Sequence, residues 1–238
     1  MVSAASAFGS GFASSAFGSG LSPTWKRTSG EAGRTADHRS CLAAAVLFST
    51  RETLWSLSGR HIGVTDFLLT VHGATQSRAL GPWVGGIAFS HVLTSARLRA
   101  HATCELFGLG GHARVEPDLA EWNCGDYEGR RSVDIREERP GWDIFRDCRL
   151  NGESPFAIGE RIDRLIARLR TMDGDVALFS HSRFGAVFGA RWIGLPVFEA
   201  RHFEVGPESM SVLSWNLDHP KFPSSPSDAA ADGRAQTQ

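Results

Sequence analysis

Cysteine is scarce and scattered: Cys41, Cys104, Cys124 and Cys148 show no C-x-x-C spacing in a chain of 238 residues. A chain of this length has enough interior to fold without disulfide staples. The thiols are therefore expected to be reduced, as in a cytoplasmic compartment, and their spacing argues against a structural zinc site. A charge excess is missing too, with 25 Lys and Arg against 26 Asp and Glu. Bulk electrostatics then recruits neither nucleic acid nor an anionic membrane, and an anionic ligand needs a local basic pocket. The longest apolar run, Leu42 to Phe48, is far short of the roughly 20 residues that cross a bilayer. Asp and Glu are absent from the first thirty residues, where Lys26 and Arg27 are the only charges. That faintly resembles the composition of a transit peptide, but out-of-frame translation is the preferred account.

What is present falls into three parts. Residues 1–40 are Gly/Ser/Ala-rich, with SAFGSG at Ser6 to Gly11 and again at Ser15 to Gly20. Such a stretch buries too little apolar surface to offset its ordering entropy, so disorder is expected there and in the Pro/Ser/Ala tail at 219–238. Between them, 41–218 reads as one domain, in a chain whose hydrophobic content of 42% is that of an ordinary globular protein. Ala43 to Phe48, Ile87 to Ser95, Ala113 to Val115 and Asp175 to Ser180 are strand candidates. Gly73 to Val84, Arg97 to Leu106, Glu153 to Arg170 and Phe184 to Trp192 are helix candidates, the third carrying Ile158, Ile162, Leu165, Ile166 and Leu169 at helical spacing. Glu121 to Gly129 is a Gly-punctuated loop. Alternating strands and helices predict an α/β fold of three layers, a mostly parallel sheet with helices on both faces, whose ligands gather at the carboxyl ends of the strands.

Polar segments follow three of the apolar runs: Ser49 to Glu52, Thr94 to Arg99, and Ser180 to Arg183. Together with LAEWNCGDYEG (Leu119 to Gly129), TSARLRAHAT (Thr94 to Thr103) and LFSHSRFG (Leu178 to Gly185), they resemble the histidine phosphatase, or phosphoglycerate mutase-like, superfamily. The resemblance covers about Phe48 to Leu217, and E-W-x-x-G-D-Y-E-G is nearest to the sugar-phosphate and sedoheptulose-bisphosphatase-like branch. It implies that Arg99 binds the transferring phosphoryl group, bidentate through its planar fork. A solvated helix-face arginine is the plain alternative, and it suits Arg97 better. Glu121 matches the acid that protonates the leaving oxygen, and His181 the histidine that stabilises phosphoryl oxygens. Ser49, Ser56 and Ser182 are further phosphate-binding candidates. Asp126 and Glu128 read as loop-structuring residues, and Gly152-Glu153-Ser154 as a helix cap. Ser182 and Arg183 stand where Gly-His is usual, and Arg183 adds a cation beside the pocket. No metal or cofactor is implied; the partner is a small phosphorylated metabolite.

The family's first motif, R-H-G-E-T, supplies the nucleophilic histidine, yet here Ser49-Thr50-Arg51 precede Glu52-Thr53. Thr50 occupies the position of the missing nucleophile, and neither His61 nor His72 matches it. If the triplet is encoded TCG-ACA-CGG before a G, a shift of one base reads CGA-CAC-GGG, which is Arg-His-Gly. A frame slip ending near Arg51 is thus one account, and loss of the nucleophile by substitution is the other. The coding DNA separates them. The expected function is a phosphatase of small phosphate monoesters acting through phosphohistidine, inactive as written; a phosphoglycerate mutase and a non-catalytic phosphate-ligand-binding protein are the alternatives.

Overall fold

The structure, a computed structural model, describes residues 44–50, 52–148, 150–207, 209–216 and 219–221. Strand β1 (Ala44–Ser49) is buried along its whole length, because neighbours flank it on both edges and helices cover both faces. It pairs in parallel with β4 (Val176–Ser180) and antiparallel with β5 (Met210–Asn216). Among the described residues the sheet has six strands in the order β3-β2-β4-β1-β5-β6, with β2 at His91–Thr94, β3 at Ala113–Val115 and β6 at His219–Lys221. The four strands from β3 to β1 are parallel, which confirms the expected three-layer α/β class; β5 and β6 form an antiparallel edge.

The two-residue period of a strand sorts the core into two halves. Leu47 and Leu178 face α6 (Pro155–Leu169) and α7 (Ser182–Trp192), against Ile158, Ile162, Leu165, Phe184 and Phe188. Val46, Phe48, Ala177 and Phe179 face the opposite side, with α2 (Val71–Val84) and α3 (Leu98–Leu106) supplying Val84 and Cys104, and the α3 C-cap supplying Phe107. Phe48 and Phe179 stack with ring centroids 4.9 Å apart, and Phe107 meets Phe48 edge-on at 5.3 Å. Burying each such ring contributes about 1.5–3 kcal/mol. Helix α6 forms because Ser154 accepts the Ala157 N–H at 3.1 Å, Pro155 opens the first turn and the apolar stripe is buried, so the Gly152-Glu153-Ser154 cap is as expected. Short helices α1 (Leu54–Leu57), α4 (Ser132–Glu138) and α5 (Ile144–Asp147) fill the connections.

Two expectations are corrected. The run from Ile87 to Ser95 is strand only from His91, because its partner β4 begins at Val176. Before that register Gly174 turns the chain with φ +76°, so close to Ser90 that a Cβ would lie 2.1 Å from its Oγ. The domain also continues beyond 218: His219–Lys221 pair with Ser214 to Asn216, while 1–40 and 222–238 lie outside the described residues. No helix among the described residues is long and apolar enough to cross a membrane.

Candidate active site

Parallel register brings three strand ends together. Ser49 pairs with Ser180 and Thr94 with Phe179, so Thr50, Ser95 and His181 leave the sheet side by side. The Thr50 N–H donates to Ser180 O at 2.8 Å and the Ser95 N–H to Phe179 O at 2.8 Å, carrying the ladder one residue further. Thr50 is 8% exposed and lines a pocket of about 550 Å³ with Ser56, Arg99, Glu121, Ser182 and Arg183. Four of the expected site residues thus surround the position of the missing nucleophile. Ser49 is buried behind them, its hydroxyl 3.0 Å from that of Ser182. Ser56 lines the pocket, but its hydroxyl accepts from Thr53 N and donates to Thr53 O, both at 2.9 Å, and is engaged in capping α1. Arg51 lies outside the described residues.

Arg99 and His181 form a buried pair. Arg99 Nε donates to His181 Nδ1 at 3.2 Å, Nη1 to Thr65 O at 2.9 Å and Nη2 to Gly63 O at 3.2 Å. Because Nδ1 accepts, His181 carries its proton on Nε2 and donates it to Ser95 Oγ at 2.9 Å. Burial holds this imidazole well below its usual pKa, with Arg99, Arg97 and Arg161 adding to the shift, so the ring is neutral. His181 is 1% exposed with both nitrogens committed. In this arrangement it acts on the pocket through Arg99, and it offers no free nitrogen as a base for Thr50.

Glu121 sits at the amino end of α7. Its Oε1 accepts the N–H groups of Trp122 at 2.9 Å and Phe184 at 2.8 Å, and its Oε2 accepts that of Arg183 at 3.3 Å. Two otherwise orphaned donors of the helix terminus are satisfied this way, in favourable alignment with the helix dipole. Oε2, with a single backbone N–H at 3.3 Å, is the less committed oxygen.

The loop residues behave as expected. Glu128 accepts the N–H groups of Gly63, at 2.9 Å to each oxygen, and of Thr65 at 2.9 Å, and Asn151 donates to Asp126 at 3.1 Å. Loop 63–65 is therefore held by its amides to Glu128 and by its carbonyls to Arg99. Sequence reasoning missed His61, which is 1% exposed and accepts from Arg183 Nη2. It also missed Arg201, which lines the same pocket with Arg60, a residue that stands where the family pattern expects one. No short-range signal points to His61, since its contact with Arg183 spans 122 positions. Among the described residues no cluster of His, Cys, Asp and Glu could hold a metal ion.

This constellation has counterparts. The profile of the histidine phosphatase superfamily, branch 1, matches residues 52–225, beginning directly after Ser49-Thr50-Arg51. An acid phosphatase of Mycobacterium tuberculosis is 35% identical over 168 residues, covering 69% of this chain and 82% of that protein. A sedoheptulose 1,7-bisphosphatase of Saccharomyces cerevisiae is 34% identical over 200 residues, covering 70% and 73%. The solved structure of an open reading frame product of Mycobacterium tuberculosis superposes with a TM-score of 0.71 at 32% identity, over 76% of this chain and 95% of that one. A profile match over residues 52–225 and relatives of this similarity place the strand-end pocket in its lineage: the chain belongs to the histidine phosphatase superfamily.

Proposed function

We propose that the pocket is that of a phosphatase for small phosphate monoesters of the sugar-phosphate kind, and that the chain as written is inactive because Thr50 stands where the nucleophilic histidine belongs. The observation that carries this is the convergence of Arg99 and Glu121 on one pocket with Thr50, backed by His181. The phosphatases among its relatives support the reaction class. With a histidine at position 50, its ring nitrogen attacks phosphorus as the bond to the leaving oxygen breaks, and Glu121 supplies that oxygen's proton. Water then attacks the phosphohistidine, returning a proton to Glu121 and releasing phosphate. Arg99 has two further N–H donors to hold the equatorial oxygens.

Thr50 cannot take this part: both nitrogens of His181 are committed and offer its hydroxyl no base, and a phosphothreonine ester would be a stable end point. A profile match that starts at Glu52 fits a frame slip ending near Arg51. Should the substitution instead be native, the same pocket makes a phosphate-ligand-binding protein without catalysis. The test is the triple variant Ser49→Arg, Thr50→His, Arg51→Gly, assayed with an aryl phosphate and by acid-labile phosphohistidine labelling. Turnover and a label at position 50 are expected. A folded triple variant with neither would leave only the binding reading standing.

A further inference from the structure

Strand pairing sets opposite position 49 a hydroxyl that no group on the protein satisfies. Phe48 pairs with Met210, and the Ser49 N–H donates to Ser209 O at 3.0 Å, so Ser49 and Ser209 stand directly across the end of the β1–β5 ladder. Directly opposed residues point to the same face of a sheet, with Cβ atoms about 4.5–5.5 Å apart. That face is the one covered by α6 and α7, because Leu47 and Leu213, which alternate onto the same side as Ser49 and Ser209, belong to that half of the core. On it the Ser49 hydroxyl meets that of Ser182 at 3.0 Å. The Oγ of Ser209 is buried and has no hydrogen-bond partner among the described residues. Leaving a buried hydroxyl unpaired is costly, and folded interiors rarely do it. Position 49 is also where the chain departs from R-H-G-E-T, with serine in place of arginine. An arginine there would start beside both hydroxyls, and Ser182, which touches Ser49 and lines the pocket, marks the way from position 49 to the site.

We propose that Ser209, together with Ser182, is a positioning residue: the two hydroxyl oxygens accept from the guanidinium of an arginine at position 49 and aim it into the pocket. This rests on the phosphatase reading, in which the competent chain carries arginine there. Ser209 is not among the residues that line the pocket, so it acts only through that side chain. A guanidinium has five N–H donors, enough to engage both hydroxyls and still hold an anion. Hydroxyl acceptors, like the uncharged acceptors of Arg99, fix such a group without cancelling its charge.

The test is a double-mutant cycle on the full chain: the parent, Ser209→Ala, Ser49→Arg and the two together, each unfolded in urea and titrated calorimetrically with inorganic phosphate. In the parent, Ser209→Ala removes an unpaired hydroxyl, so phosphate affinity should stay within about twofold and the urea midpoint should hold or rise. In the Ser49→Arg chain the same change should weaken phosphate binding by about tenfold, the scale of one charge-assisted hydrogen bond, and lower the midpoint. Ser209→Thr, which keeps the hydroxyl, should retain most of the affinity. A merely structural role for Ser209 would give the same effect in both backgrounds, with no coupling between the two positions. Equal effects in the two backgrounds, a Ser49→Arg chain that does not fold, or one that binds phosphate no tighter than the parent would each overturn the seat. Failure of the phosphatase reading shows separately: a triple variant (Ser49→Arg, Thr50→His, Arg51→Gly) in which positions 49 and 209 are coupled, yet which neither turns over nor labels, would keep the seat and sink that reading.

Discussion

Arg99 donates to Nδ1 of His181 across 82 positions of sequence, a buried bond that positions the guanidinium on an uncharged acceptor. The acceptors of Arg99 are an imidazole nitrogen and two carbonyls, none of them charged, and the nearest carboxylate oxygen, of Asp66, stands 3.8 Å away. Neutral acceptors fix the guanidinium in place while its charge stays available to an anion.

Acid should weaken the fold through two histidines. His61 and His181 are held neutral in the folded protein, below their usual 6.5, while the unfolded rings take up protons below that value. Their contribution is complete above pH 6.5 and declines as pH falls, at up to about 1.4 kcal/mol per unit for each ring. Urea unfolding between pH 6 and 5 should show this slope, and His61→Gln should roughly halve it. An unaltered slope in that variant would mean that His61 is protonated in the fold.

Glu121 should matter to stability apart from catalysis. Glu121→Ala leaves the N–H groups of Trp122, Arg183 and Phe184 without their acceptor, at a cost of about 1–3 kcal/mol for buried donors left unsatisfied at a helix end. Glu121→Gln should lose less, since it keeps one accepting oxygen. Both should abolish turnover in the restored triple variant; equal stability of Ala and parent in urea would refute the capping role.

Gly63→Ala should disturb the site from a distance. An added Cβ would lie 2.6 Å from Trp122 O and 2.8 Å from Glu128 Oε2, and Gly63 O is an acceptor of Arg99. Destabilisation of about 2 kcal/mol or more is expected, with weakened binding of inorganic phosphate. Gly111→Ala, whose Cβ would meet nothing within 4 Å, is the control and should leave both unchanged.

Thiol chemistry offers a further check. Cys104, Cys124 and Cys148 are free and buried. Burial, then Glu105, raises Cys104 to about 12, and the Cys148 thiol together with burial raises Cys124 well above its usual range. Iodoacetamide at pH 8 should modify these positions only after denaturant is added, as read by peptide mass spectrometry. Rapid native alkylation at Cys124 would show that the Glu121 loop opens.

The elements legible in the chain were those whose local pattern and tertiary role agree. Strands β1 and β4 are short apolar runs because they are covered on both faces, and α6 shows its stripe because one face is buried. Strand β5 went unread: Ser211 and Ser214 bracket an apolar pair of only two residues, Val212 and Leu213, and its pairing with β1 is a long-range fact. The same limit applied within the site. Arg99, Glu121 and His181 lie in motifs, whereas His61 matters only because Arg183 reaches it.

The double clamp on loop 63–65 separates ancestry from activity. Removing Arg99 would strand two carbonyls and the Nδ1 of a buried ring, and removing Glu128 would strand the amides of Gly63 and Thr65. Selection for a folded protein alone would therefore preserve the signature residues after the histidine had gone. A lineage without turnover would go on wearing the enzyme's sequence, its motifs kept as girders long after they had ceased to be tools.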